Sequence, residues 1–190
     1  MGLIQTAAPA SEPITLTEAK LHLRVDTSAD DALITSLIEA ARQAAESFCA
    51  RQFVTATWQY TLDAFPEDDT INLPRPPLQS VTTLKYVDTA GTTQTLSASK
   101  YTVDTSKFVG RIVPAYGESW PSTYGHIEDV EVTYVAGYGA ASAVPAAIKS
   151  AIKLLVADMY EHREAGTEGR VESNPTVERL LWAYRVLELH

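Results

Sequence analysis

Few stretches of this 190-residue chain bring together side chains that could do chemistry, and each points to a different reaction class. The run Gly137-Tyr138-Gly139-Ala140-Ala141-Ser142 follows an alternating strand pattern and precedes a helical one, as a dinucleotide-binding turn does. It departs from that fingerprint at Ser142, where a third glycine or an alanine belongs. No second parallel strand unit follows, and Asp158 falls inside a helix rather than at a strand end. The glycines therefore read as a flexible strand-to-helix connector. Two Ser-x-x-Lys pairs, Ser97/Lys100 and Ser150/Lys153, have the spacing that sets a lysine beside a nucleophilic serine on a helix. Only Ser150 lies in a helical pattern, and the companion Ser-Asp-Asn and Lys-Thr-Gly elements are missing. His22, His126, His162 and His190 are far apart with no second ligand at helical spacing, which supports neither a metal site nor a triad. Glu67-Asp68-Asp69 lacks the alternate spacing and glycine of a calcium loop and reads as a solvated turn. Catalytic, cofactor and metal residues are accordingly expected to be none.

Composition narrows the partners. With 15 basic and 24 acidic residues the formal charge is -9, which repels nucleic acid and anionic membranes. The single cysteine, Cys49, sits on an apolar helical stripe and reads as a buried thiol. No apolar run has the length of about 20 residues that a membrane span needs, and MGLIQTAAPASEP lacks the basic start and apolar centre of a signal peptide. The expectation is a cytoplasmic origin with residues 1–13 as a flexible lead-in.

The elements that would position such residues are clearer than the chemistry. Thr15 with Glu18 forms a capping box ahead of a short helix, 16–23. Ser28 or Asp30 is placed to cap a longer one, 30–53, with Leu33, Ile34, Leu37, Ile38, Ala41, Ala44, Ala45, Phe48, Cys49 and Phe53 on its apolar stripe. Arg42, Gln43, Glu46 and Arg51 fall largely off it. From residue 54 the texture turns to threonine-rich alternation, with strands predicted at 57–64, 80–88, 92–96, 101–104, 108–113 and 129–136. Asp88-Thr89-Ala90-Gly91 supplies a hairpin turn. Tyr116 to Gly125 reads as a long loop whose aromatics either fold back onto the sheet, the preferred reading, or meet a partner. Helices are predicted at 143–164, with Pro145 in the first turn and Gly166 as stop, and at 175–188.

The runs ITLTEAKLHLRVD and DDALITSLIEAAR, then PRPPLQSVTTLKYVDTAGT and TYVAGYGAASAVPAAIKSAIKLLVADMYEHREA, resemble the bacteriophage head-tail connector family, also described as head completion or DNA-packaging adaptor proteins. The likeness spans nearly the whole chain. With the patterning above it implies an α+β fold: one connector domain over 1–190 whose helical core, 14–53 and 143–188, carries an antiparallel β-rich insertion at 54–140. It also implies a structural assembly subunit rather than an enzyme. Such a subunit would form a cyclic ring of about twelve copies beneath a portal protein, meet a tail or stopper protein, and pass DNA without sequence-specific binding. Its place would be the head-tail interface of the virion, after assembly in the bacterial cytoplasm, with no membrane and no cofactor. An acidic channel wall would gain little counterion-release affinity for that DNA. Glu168, Arg170 and Val171, in the loop GTEGRVES, and Trp120 and Tyr124 are the candidate partner or channel contacts. Two rival readings are a small nucleotide-binding enzyme using Gly137–Ser142 and a DNA-binding regulator using the N-terminal helix pair. Against the second stand Asp30 and Asp31, where a reading helix would meet phosphate.

Overall fold

Thr15 opens the first helix as its sequence dictates. Its side chain accepts the Glu18 amide at 3.1 Å while the Glu18 carboxylate accepts the Thr15 amide at 2.8 Å, and α1 runs Leu16–Leu23. Arg24 then turns the chain in the left-handed region. The computed structural model describes residues 1–162 and 175–187. In it the chain divides into two compact units, Met1–Ala10 with Thr55–Tyr138, and Ser11–Val54 with Gly139–His190. The β-rich segment that reads as an insertion is thus, with the first ten residues, a unit of its own.

The helical unit packs α1, α2 (Asp31–Cys49), α3 (Ala146–Glu161) and α4 (Pro175–Trp182) against one another. Ile34, Ile38, Ala41, Ala45 and Cys49 of α2 are buried, as are Ile148, Ala151, Ile152 and Val156 of α3 and Val177 and Leu181 of α4. Several predicted details are corrected. Asp30 does not cap α2 through its side chain but accepts the Tyr160 hydroxyl at 2.5 Å, tying the start of α2 to α3. The second helix stops at Cys49 because Ala50 takes a left-handed conformation and its amide turns back to the Glu46 and Ser47 carbonyls. The third begins at Ala146: residues 141–143 form a 3-10 turn, and Pro145, with ψ 140°, is the residue before the helix rather than in it. After Trp182 the chain leaves helix α4 earlier than expected. Arg51 donates to the Tyr184 carbonyl at 2.5 Å and the Val186 amide to the Cys49 carbonyl at 2.9 Å, so residues 184–186 follow the end of α2.

The larger correction concerns charge. Arg42, Glu46 and Arg51, predicted to fall off the stripe, are buried, Arg42 to 4% and Glu46 to 6% exposure. The exposed face of α2 is the narrower stripe of Ala32, Thr35, Ser36, Glu39, Gln43 and Ser47, and Arg42 and Glu46 lie just inward of its border. Arg42 donates to Glu12 at 2.7 Å and to Glu46 at 2.8 Å, while the other Glu46 oxygen accepts from Gln52 at 2.7 Å and from the Phe53 amide at 2.9 Å.

The β unit holds two antiparallel sheets. One has five strands in the order β1 (Gly2–Ala7), β2 (Ala56–Leu62), β8 (Val130–Ala136), β4 (Leu78–Val87), β5 (Thr93–Thr95); the other has three, β3 (Ile71–Asn72), β7 (Arg111–Pro114), β6 (Tyr101–Asp104). The N-terminal segment is therefore no flexible lead-in: Gly2 lies opposite Thr61 and Leu3 opposite Tyr60. Central β8 shows the alternation its sequence promises, with Val130, Val132, Tyr134 and Ala136 buried. They pack with Leu62, Ile71, Leu73, Leu78, Leu84 and Ile112. The buried Tyr134 hydroxyl donates to the Pro74 carbonyl at 2.8 Å. At the β4–β5 turn one Asp88 oxygen accepts the amides of Ala90 and Thr92, and Gly91 takes the left-handed conformation the turn requires.

Two outcomes follow for stability. Glu46→Ala removes one of the two carboxylates of the buried Arg42 guanidinium and leaves the Gln52 and Phe53 donors without that acceptor, and should cost about 3–5 kcal/mol in urea unfolding, whereas exposed Gln43→Ala should stay within about 0.5 kcal/mol. Thr15→Ala should cost about 1 kcal/mol. The Thr15 amide, the largest lowering cause, holds the Glu18 carboxyl below its ordinary 4.5. A lowered carboxyl contributes stability above its unfolded value and loses it as pH falls through the folded one; Thr15→Ala keeps the amide and removes only the hydroxyl contact to Glu18 at 3.1 Å, so only that part of its penalty should fade in acid.

Candidate assembly interface

The residues whose spacing suggested chemistry are scattered. Gly137 and Gly139 have φ of 124° and 120°, so the connector is built on glycine's conformational freedom. Ser97 accepts the Ser99 amide and so shapes a turn, and Lys100 pairs with Glu118 at 2.8 Å. Lys153 meets Glu18 at 3.6 Å, and Ser150 is exposed on α3. His162 lies 3.4 Å from Asp158, His126 stands edge-on to Tyr124, and His190 is outside the described residues. Among the described residues no three His, Cys, Asp or Glu side chains group as a metal would require. Burial pushes the Cys49 thiol up to about 11, which leaves it protonated at neutral pH. The N-terminal end of α2 offers phosphate nothing: Asp31 pairs with Lys20 at 2.6 Å and Asp30 with Tyr160.

What the β unit does present is a rigid loop bearing exposed apolar side chains. Between β7 and β8 the chain is pinned at its base by buried Asp129, one oxygen of which accepts the amides of Gly125 at 2.5 Å and His126 at 2.8 Å. The Tyr124 amide donates to the Val87 carbonyl and Thr123 forms a bridge with Asp88. Trp120 folds inward, stacked on Phe65 at 4.8 Å with its indole N–H on the Asp69 carbonyl at 3.3 Å. Tyr124 is about half exposed, lying against the turn at Gly91. Tyr116 is fully exposed and Ile127 is 83% exposed. Glu168, Arg170 and Val171 lie outside the described residues.

In the helical unit Trp182 and Leu187 are exposed, and the Arg185 guanidinium lies 5.3 Å from the rings of both Phe48 and Trp182. Beside them a cleft of about 200 Å³ is lined by Ala44, Ala45, Phe48, Leu155, Val177 and Leu181. Sequence reasoning passed over Arg185 and Ile127. A large apolar residue in a polar loop was the signal available for Ile127.

Residues 13–107, half of the chain, match the family described as phage gp6-like head-tail connector protein. The chain belongs to that family. Head completion protein gp6 of Enterobacteria phage HK97 is 42% identical over 45 residues, which cover 24% of this chain and 42% of that protein. The match to this curated relative thus spans less than half its length. Solved structures extend the likeness over the whole connector chain. A chain from the neck of an empty gene transfer agent (GTA) particle, computed with C6 symmetry, superposes with a TM-score of 0.82 at 28% identity, covering 100% of this chain and 98% of that one. A chain of the native GTA virion gives 0.81 at 27% with the same coverage, and one from the native neck computed with C12 symmetry gives 0.79 at 27%. The α+β architecture is that of these neck chains.

Two substitutions separate structural from surface aromatics in the loop. Trp120→Ala removes the stacked pair with Phe65 and should destabilise the protein by about 2–4 kcal/mol, while Tyr116→Ala should shift urea unfolding by no more than about 0.5 kcal/mol. Gly139→Ala forces a side chain into φ 120° and should cost about 1–3 kcal/mol, with no dinucleotide binding to lose by calorimetry.

Proposed function

We propose that the chain is a structural subunit of the virion neck, a head-tail connector that forms a ring beneath the portal, continues the DNA channel and joins head to tail. The observation that carries this reading is the whole-chain likeness to neck chains, 0.82 at 28% identity. Coverage of that kind extends past residues 13–107 to β7, β8, α3 and α4.

The physical chemistry agrees. Copies must meet partners through surface rather than through a reaction centre, and Tyr124 and Ile127 stand exposed on a loop that Asp129 holds in shape. A preorganised loop loses little entropy on docking, which is where exposed aromatic and aliphatic side chains give most affinity. A net charge of -9 keeps affinity for passing DNA low. Portal, tail or stopper protein and neighbouring copies are the partners this reading requires. Glu168, Arg170 and Val171 are the proposed contacts with channel or portal, on composition alone. The regulator reading loses ground because the exposed face of α2, Ala32, Thr35, Ser36, Glu39, Gln43 and Ser47, carries no basic side chain to meet phosphate.

Removing the gene from its phage tests the proposal. Expected are heads that package DNA but neither retain it nor join tails, with rescue by the wild-type chain. Deleting Glu168–Val171 should leave the melting temperature unchanged and lower the yield of filled particles. Normal infectious particles without the chain would end the reading, and a nucleotide-dependent rise in melting temperature would favour the enzyme instead.

A further inference from the structure

The five-stranded sheet has two open edges of unlike character to the others in the molecule. Among the described residues β1 pairs only with β2, and β5 only with β4. An open edge presents a row of unpaired amides and carbonyls, and proteins ordinarily blunt it with lysine, proline, short strands or bulges. In the three-stranded sheet this has been done: β3 is two residues long, and β6 is flanked by Lys100 and ends at Asp104. The edges of the large sheet are not guarded by charged side chains; the Met1 ammonium beside the start of β1 faces Asp63 at 3.8 Å. No side chain from Met1 to Ser11 is charged, and none from Thr89 to Ser99. Four of the six β1 residues are exposed, Ile4 among them, and all of β5 is. The β5 ladder is longer than its three residues, since the Asp88 amide donates to the Thr92 carbonyl and the Leu96 amide to the Leu84 carbonyl. One device does remain on β1, an irregularity in register between Gln5 and Ala7 that bends its last residues.

Resting on the ring reading above, we propose that the sheet continues from copy to copy, the β5 edge of one subunit lying along the β1 edge of the next. Copies that each carry a charge of -9 repel, and two edges without charged side chains are where they approach at least electrostatic cost. Pairing unlike edges makes a heterologous contact, the kind that closes into a ring. Pairing β1 with its own copy would make a two-fold contact and stop at a dimer.

The test uses full-length chain, assembled in neck particles and dissociated from them. Amide exchange of residues 2–7 and 92–96 should slow at least tenfold on assembly. In oxidising conditions Ile4→Cys combined with Cys at Thr93, Gln94 or Thr95 should give a ladder of covalent multimers for at least one pairing. Ile4→Cys alone should stay monomeric, since the native thiol, Cys49, is buried. Ile4→Lys should lower the assembled fraction at unchanged melting temperature. Rings whose two edges exchange as fast as in the free chain would overturn the β1–β5 junction and leave the ring standing, as would dimers of Ile4→Cys alone. Particles in which the chain forms no ring would overturn both.

Discussion

A guanidinium that cannot reach water fixes the end of the central helix. Arg42 is held between Glu12 and Glu46, and Glu46 in turn accepts from Gln52 and the Phe53 amide, so one buried carboxylate joins the helix interior to the chain that leaves it. Burial pushes the Glu46 carboxyl up, against the lowering influence of the Phe53 amide and Arg42, and keeps the Arg42 charge dependent on its partners. Such a pair adds little net stability over an apolar substitute, but removing one member leaves the other uncompensated. What it specifies is a path. Residues 50–54 can run only where these donors meet that carboxylate, and β2 starts two residues later.

That network shows where reading a sequence stops. The spacing of Arg42 and Glu46 is that of an ordinary exposed i,i+4 pair, and nothing local distinguishes it from one that is buried. Local signals did well where local physics decides: the Thr15–Glu18 capping box, the Asp88–Gly91 turn and the alternation of β8 each appear where the residues placed them. They failed where the partner is remote. Gly2–Ala7 has no strong alternation of its own and becomes a strand only because β2, more than fifty residues later, offers it an edge. Ala50, with φ 51°, ends α2 without the glycine that would have announced it. The candidate contacts divide the same way. The loop was evident from its glycines and proline, but that Trp120 turns inward while Ile127 faces out depends on Phe65 and Asp129.

The open sheet edges and the exposed Tyr116, Ile127 and Trp182 express one demand on an assembly subunit. Its specificity resides in surfaces that are complete only when copies and partners are present, and its folding must therefore be secured elsewhere. Two cores answer that demand here: the helical one around Ile34, Ile38, Ile148 and Ile152, and the β one around Val132, Tyr134, Leu84 and Ile112.

The most direct measurement is a cryo-electron microscopy reconstruction of the phage neck, with the density assigned by fitting this chain. The account predicts a closed cyclic ring of this chain between portal and tail, with a continuous axial channel through it. Purified infectious particles whose neck contains no copies of the chain, or contains it outside any ring, would contradict it.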